Sequence, residues 1–426
     1  MSGTIFALSS GPPPAGIAVV RISGPQASAA LLALAGRLPH PRRASAVRLR
    51  DPADATLLDR ALALWLPGPG TATGEDTAEL HLHGGRAVVA AVETALTRLP
   101  GLRRAEPGAF TRRAFANGRI DLAEAEGLAD LLSAETELQR RSALAMASGE
   151  LSRVVEGWRV RVLTLSAQVE ASLDFADEDD VAGLPEAFAG DCRTLAEVLV
   201  VWLGRPRAEI LRDGFRVVIA GPPNAGKSTL FNVLVESDAA IATPIPGTTR
   251  DVLTHPVALD GIPFVFADTA GLRADSDDPV ERIGIERALV ASAAADLVLW
   301  LGGADERPEG AWQIAPQCDR ADREVVANPR HAVSAVTGDG IDALRADLIA
   351  TARAAMPAPG QFALGQRQHR LLAECRQAIA EAAQTRDPLL AAEHLRLARL
   401  ALDRLVGRSG TEDMLDALFG RFCIGK

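Results

Sequence analysis

The stretch Gly221-Pro-Pro-Asn224-Ala225-Gly226-Lys227-Ser228-Thr229 constrains this chain more than any other feature. It follows an apolar run, Phe215 to Ala220, and precedes a helix-compatible segment, Thr229 to Val235. Strand, glycine loop and helix thus stand in the order that a phosphate-binding loop of the form G-x-x-x-x-G-K-[ST] demands. The glycines let backbone N–H groups approach phosphate oxygens, and the helix N-terminus adds its positive end. Lys227 offers a point charge to the β and γ phosphates, and Ser228 a hydroxyl to Mg2+. Composition sharpens the point, because all the basic residues are arginine except Lys227 and Lys426. A retained ammonium in such a chain marks a place where a compact, rotatable charge is needed and a planar fork does not fit.

Further along, Asp268-Thr269-Ala270-Gly271 follows a second buried strand, Phe264 to Ala267, and begins 47 residues after Gly221. An aspartate at a strand end can hold a metal through water, and the adjacent glycine can bring its N–H to a γ phosphate and release it after hydrolysis. Between the two motifs lies Gly247-Thr248-Thr249-Arg250-Asp251, a polar loop with a threonine available as a second magnesium ligand. These are the parts of a GTPase switch. At the place of the guanine-reading N-K-x-D motif the chain has Asp319-Arg320-Ala321-Asp322, in which Asp322 keeps the carboxylate that pairs with the base while the Asn and Lys positions are changed. Ser334-Ala335 resembles the loop whose backbone contacts the guanine carbonyl. The position after Gly271 is Leu272, where many GTPases carry a water-orienting glutamine, so another group must orient the water. Glu281 is a nearby carboxylate able to do so, and it can equally be an ordinary solvated acid at the start of a helix.

The chain of 426 residues, 48% hydrophobic and 23% charged, is long enough for two to four folded domains and is neither disordered nor fibrous. No apolar stretch reaches the roughly 18 residues of a membrane span. Four widely spaced cysteines (Cys192, Cys318, Cys375 and Cys423) speak against a disulfide framework or zinc cluster and for a reducing, cytoplasmic setting. Texture divides the chain. Residues 1–118 mix strands (Gly16 to Ile22, Ala61 to Leu66, Glu79 to His83) with a helix over Ala87 to Arg98, and read as α+β. Residues 119–213 read as long amphipathic helices broken near Asp177 to Asp180 and Pro185, and 214–356 as alternating strands and helices of a mostly parallel sheet. Residues 357–426 return to helix, with Phe362 to Thr385 and Ala391 to Leu405 as the main elements. The expected fold class is therefore multidomain α/β: an N-terminal α+β domain, a discontinuous helical domain, and an inserted P-loop domain. The overall charge of −10 is uneven, with +5 on residues 1–118 and +2 on 357–426, where any nucleic-acid surface should lie.

Taken together, the motifs resemble one family along nearly the whole chain. They are Arg21-Ile-Ser-Gly24, Thr73-Gly-Glu-Asp76 with Glu79 and His83-Gly-Gly85, Pro107-Gly with Phe110-Thr-Arg-Arg-Ala-Phe115, Asp121-Leu with Ala125-Glu126, the nucleotide motifs, Glu281-Arg-Ile-Gly-Ile-Glu286-Arg287, and the terminal Phe422-Cys-Ile-Gly-Lys426. The pattern is similar to the MnmE/TrmE tRNA-modifying GTPases, which act on the wobble uridine.

That resemblance implies a Ras-like GTPase domain stimulated by K+, dimerising across the nucleotide. On this sequence the K+ ligands would be Asn224, Thr243, Ile245 and Thr248, and Mg2+ would fall to Ser228 and Thr249. The nucleotide contacts would run over Asn224 to Thr229, Thr243, Thr249, Asp268 to Gly271, Asp322, Ser334 and Ala335. Glu281 matches the catalytic glutamate. The N-terminal domain, residues 1–118, would serve in dimerisation and would bind 5-formyl-tetrahydrofolate or a related one-carbon folate through Arg21, Glu79, Arg119 and Lys426, with Arg119 standing where a lysine is usual. Cys423 matches a cysteine of the C-[IVL]-G-K terminus that takes part in the modification. The implied partners are a second copy, tRNA, and a flavoprotein of the MnmG/GidA type, which holds the FAD, in a heterotetramer. A switch for ribosome assembly without modification chemistry, or a non-hydrolysing scaffold, are the rival readings.

Overall fold

The computed structural model describes residues 3–174, 184–222, 224–235, 254–268, 295–320, 326–358, 362–409, 412–420 and 422–425. They form two compact units, one of residues 1–129, 149–159 and 399–426, the other of 130–148 and 160–398.

The first unit is built on β1 (Thr4–Leu8), β2 (Ala15–Ser23), β3 (Ser45–Arg50), β4 (Leu57–Leu66), β5 (Thr77–Gly84) and β6 (Leu102–Arg104), in the order β3-β4-β5-β2-β1-β6. Neighbours are antiparallel except β1 and β6. Strands β4 and β5 alternate, and their inward residues Ala61, Ala63, Trp65, Leu80 and Leu82 join Ala18, Val20 and Ile22 beneath α1 (Ala27–Ala35) and α2 (Arg86–Thr97). Near β1, Phe110 of α3 (Ala109–Ala116) packs on Ile5 and Ala7. A short helix α13 (Glu412–Phe419) then brings Phe419 and Phe422 against Ala125 and Phe115.

Helices follow α3 as expected: α4 (Leu122–Ser133), α5 (Glu137–Ala147), α6 (Glu150–Asp174), α7 (Phe188–Leu203) and α8 (Ala208–Asp213). Their starts are capped by local chemistry. Asp121 and Glu124 exchange backbone-to-carboxylate bonds (2.7 and 2.8 Å) at the head of α4, and Thr136 with Gln139 forms a capping box on α5.

In the second unit the sheet runs β12-β11-β10-β7-β9-β8, with β7 (Phe215–Ala220), β8 (Thr254–Leu259), β9 (Ile262–Asp268), β10 (Leu297–Trp300), β11 (Trp312–Ala315) and β12 (His331–Ala332). All pairs are parallel except the edge pair β8 and β9. Val217 to Ala220 are buried without alternation, as a central strand covered on both faces must be. Helices α9 (Lys227–Val235) and α10 (Ile341–Ala355) bury Leu230, Leu234, Leu344 and Leu348 against it. Two sequence expectations shift. The segment Phe362 to Leu364 is not helical: Leu364 bridges Arg207 and accepts from the Ala208 N–H, so α11 begins only at Gln366 and runs to Ala382. Helix α12 starts at Pro388, three residues earlier than expected, since proline suits a first turn and Asp387 accepts the Leu389 N–H at 2.8 Å. The expected break at Asp177 to Asp180 lies outside the described residues.

Candidate functional site

Strand β7 ends at Ala220, and the chain turns at once. Gly221 has φ +147°, and a Cβ there would lie 3.1 Å from the backbone of Leu301, which donates its N–H to Ala220 at 2.8 Å. Asn224 (φ +60°) and Gly226 (φ +84°) complete a loop that feeds directly into α9. The helix therefore starts at Lys227 rather than Thr229, so the positive end of its dipole follows the loop directly. Lys227 arches back: its Nζ donates to the carbonyls of Gly221 (2.9 Å) and Pro222 (2.7 Å). Ser228 and Thr229 are exposed on the same turn. Parallel register sets Asp268 beside Ile219, at the carboxyl end of the sheet where open α/β sheets bind ligands.

A second loop flanks this one. Gln317 (φ +54°) lies across Gly226, with its Nε2 3.5 Å from where a Cβ would stand. Next to it, the Cys318 N–H donates to Val333 (3.1 Å), and the Ser334 hydroxyl donates to Asp319, which holds that carboxyl below its ordinary range. Ser334 is fully buried, and its Oγ also accepts from the N–H groups of Val336 (3.3 Å) and Thr337 (3.1 Å). Ala335 is thus carried on a tightly tied turn. Gln317 and the Asp319 tie carried no role in the sequence reading; the left-handed backbone at Gln317 has no sequence signature.

In the first unit, antiparallel register sets Arg21 opposite Glu79, and the guanidinium grips the carboxylate from Nε (3.0 Å) and NH2 (2.9 Å). His81 reaches the other carboxylate oxygen at 3.4 Å, and Phe110 lies 5.9 Å from the Arg21 guanidinium carbon. Arg119 makes no hydrogen bond with this pair among the described residues. Its stem instead covers Gly74, whose Cβ, if present, would be 3.2 Å from Cγ of Arg119. The loop Thr73–Asp76 is held from beneath by Arg113, a buried side chain that donates to Glu75 (2.5 Å), Ser23 O (2.8 Å) and Gly3 O (2.7 Å), while Asn117 donates to Thr73 O (2.7 Å). Two sequence motifs without an assigned role, Thr73–Asp76 and Phe110–Phe115, are therefore one structure joined by Arg113 and Glu75.

The chain end docks on the same unit. The Ser9 hydroxyl donates to Gly425 O at 2.8 Å, and Gly425 (φ +96°) lies so close to Leu8 that a Cβ would fall 2.1 Å from its carbonyl oxygen. Since Ala7 pairs with Arg21, the terminal segment reaches the strand next to Arg21. Cys423 is exposed there. Thr243, Ile245, Thr248, Thr249, Thr269, Ala270, Gly271, Glu281, Asp322, Lys426 and the side chain of Asp268 lie outside the described residues.

A family model described as the MnmE helical domain matches residues 122–423, and one described as the GTP-binding protein TrmE N-terminus matches residues 4–119. A protein of Novosphingobium aromaticivorans named tRNA modification GTPase MnmE is 65% identical over 100% of both chains. One of the same name from Erythrobacter litoralis is 63% identical over 99% of this chain and 100% of its own. Among solved structures, the G domain of the T. maritima FeoB iron transporter is 22% identical over 32% of this chain and 98% of its own, at a TM-score of 0.23, too slight a likeness to carry an argument.

Proposed function

Because the chain belongs to the MnmE/TrmE family of tRNA modification GTPases, we propose that it couples GTP hydrolysis to the addition of a carboxymethylaminomethyl or aminomethyl group at C5 of tRNA wobble uridine 34. The observation that carries the nucleotide half is the loop after β7, where Lys227 arches over its own carbonyls and α9 opens on Ser228.

The residues fit the groups they would hold. A hydroxyl on the exposed first turn of α9 is a hard oxygen donor of the kind Mg2+ takes, and Ser228 would hold that ion together with Thr249. Asn224, exposed and in left-handed backbone, would offer its amide oxygen to K+ with Thr243, Ile245 and Thr248. Bound there, the two cations supply positive charge against the charge developing on the transferred phosphoryl group. The chain's own part is to grip the β and γ phosphates with Lys227 and the loop N–H groups, and to orient the attacking water through Glu281. Water then adds to the γ phosphorus as its bond to the β–γ bridging oxygen breaks, leaving GDP and phosphate. Asp322 and the turn at Ser334 and Ala335 would read guanine.

Arg21, Glu79, Arg119 and Lys426 are proposed to hold a formyl-tetrahydrofolate. Glu79, held by Arg21, presents a carboxylate suited to the amino-amide edge of a pterin. The docking of Gly425 on Leu8 supports bringing Cys423 and Lys426 to that domain. In this reading residues 1–118, 119–213 with 357–426, and 214–356 act as the folate, helical and GTPase domains of a homodimer that works with an MnmG-type flavoprotein in the cytoplasm. No helix among the described residues is long and apolar enough to cross a membrane.

The test is GTP turnover in K+ against Na+ at equal ionic strength, with ATP as control, alongside nucleoside analysis of tRNA from cells carrying Cys423→Ser. Turnover confined to K+ and GTP with loss of the modification supports the reading. Full modification in the Cys423→Ser strain would favour the ribosome-assembly switch.

A further inference from the structure

The first unit carries an open groove of about 970 Å³, bordered at His81 by the Arg21–Glu79 pair and otherwise lined by residues that carry no role above. Arg37, Arg48, Arg50 and Arg60 line it, and Asp51 is the sole acid among the lining residues. That acid is already engaged, by Arg98 at 3.1 Å and by the Ala53 N–H at 2.9 Å. Register makes the imbalance sharper. Arg48 of β3 and Arg60 of β4 are direct cross-strand partners, both exposed, on the sheet face away from α1 and α2. Like charges directly opposite on an antiparallel pair are unfavourable, and among the described residues no carboxylate meets either guanidinium, although Asp59 accepts the Arg60 backbone N–H at 2.7 Å. Arg37 and Arg50 are oriented by donating to the carbonyls of Ala46 (3.2 Å) and Ala55 (2.8 Å), contacts that leave their charge uncompensated. Ile17 and Leu62, 61% and 48% exposed, give the groove apolar ground.

We propose that this groove binds the sugar–phosphate backbone of RNA, with Arg48 and Arg60 sharing phosphates and thereby relieving their own repulsion. A polyanion fits the charge, and guanidinium forks fit phosphate geometry. The proposal rests on the tRNA-modification reading and deepens it by naming a surface.

The experiment is fluorescence-anisotropy titration of a labelled, unmodified tRNA transcript with the full chain across a KCl series. It compares the wild type, the double variant Arg48→Gln/Arg60→Gln, and a control, Arg140→Gln/Arg141→Gln. The control removes two arginines that both pair with Glu137. The groove variant should bind about tenfold more weakly, and its slope of log K against log salt should be shallower by about two, one per lost phosphate contact. GTP turnover and the control should match the wild type. Unchanged slope and affinity in the groove variant, with a wild type that binds, would overturn the groove alone. A wild type that does not bind at low salt would sink the tRNA reading with it. A groove variant altered in dimer mass by light scattering but not in RNA binding would reassign the face to self-association and overturn the proposal.

Discussion

Ser334 donates its hydroxyl to the Asp319 carboxylate, tying the segment after β11 to the turn after β12. In the sequence reading Asp319 takes the place of the amide of an N-K-x-D motif, so an ionised group would perform that tie here. The bond lowers the Asp319 pKa, and a lowered carboxyl pKa contributes order that is present above its ordinary value and lost as pH falls through the lowered one. Guanine-nucleotide affinity should therefore be flat from neutral pH to about 4 and decline only below that. Asp319→Asn should abolish the acid limb, and Ser334→Ala should weaken GDP binding roughly tenfold at pH 7, both read by titration with a fluorescent GDP analogue.

Lys227 bonds two carbonyls of its own loop and is the ammonium proposed to meet the phosphates. Lys227→Met should cut GTP turnover by about a hundredfold or more, on the scale of losing a charge that acts on the transferred phosphoryl group, with the far-ultraviolet circular dichroism unchanged. Near-normal turnover would show that the loop does not bind the nucleotide.

Gly425 combines a left-handed φ with backbone contact on Leu8. Alanine there meets both penalties, so Gly425→Ala should undock the terminal Cys-Ile-Gly segment. Wobble modification in a complemented strain should drop by about tenfold or more, while GTP turnover stays within about twofold. Equal loss of both activities would point to general misfolding instead.

Arg113 is buried and fastens Glu75, Ser23 and Gly3 together. Removing one partner of such a pair leaves the other uncompensated, so Arg113→Met should cost about 3 kcal/mol in urea unfolding. Adding Glu75→Gln should recover part of that loss.

Burial pushes the Cys192 thiol up to about 11 and the Cys375 thiol up to about 12, while Cys423 is exposed. At pH 8 the thiolate of either buried cysteine is on the order of one part in a thousand or less. A disulfide reagent should thus modify Cys423 in the native protein and reach Cys192 and Cys375 only after unfolding, as mass spectrometry of labelled peptides would show.

The nucleotide loop was legible because its chemistry is local. Gly221, Gly226, Lys227 and Ser228 lie within one turn and one helix start, and the residue types alone dictate the backbone they permit. Even there the helix began two residues early, since Lys227 and Ser228 already take part in its first turn. Helix ends elsewhere moved where a distant backbone partner competed, as Arg207 and Ala208 did for Leu364.

Sequence alone thus determined the phosphate loop, the order of α+β, helical and parallel-sheet segments, and Arg21 and Glu79 as residues to watch. That these two form an ion pair, that Arg113 joins two silent motifs, and that Gly425 packs on Leu8 were decided only by tertiary structure. The physical reason is separation along the chain. Ser9 and Gly425 are 416 residues apart and Arg21 and Glu79 are 58 apart, and contacts that close such loops are set by strand register and packing rather than by any local preference.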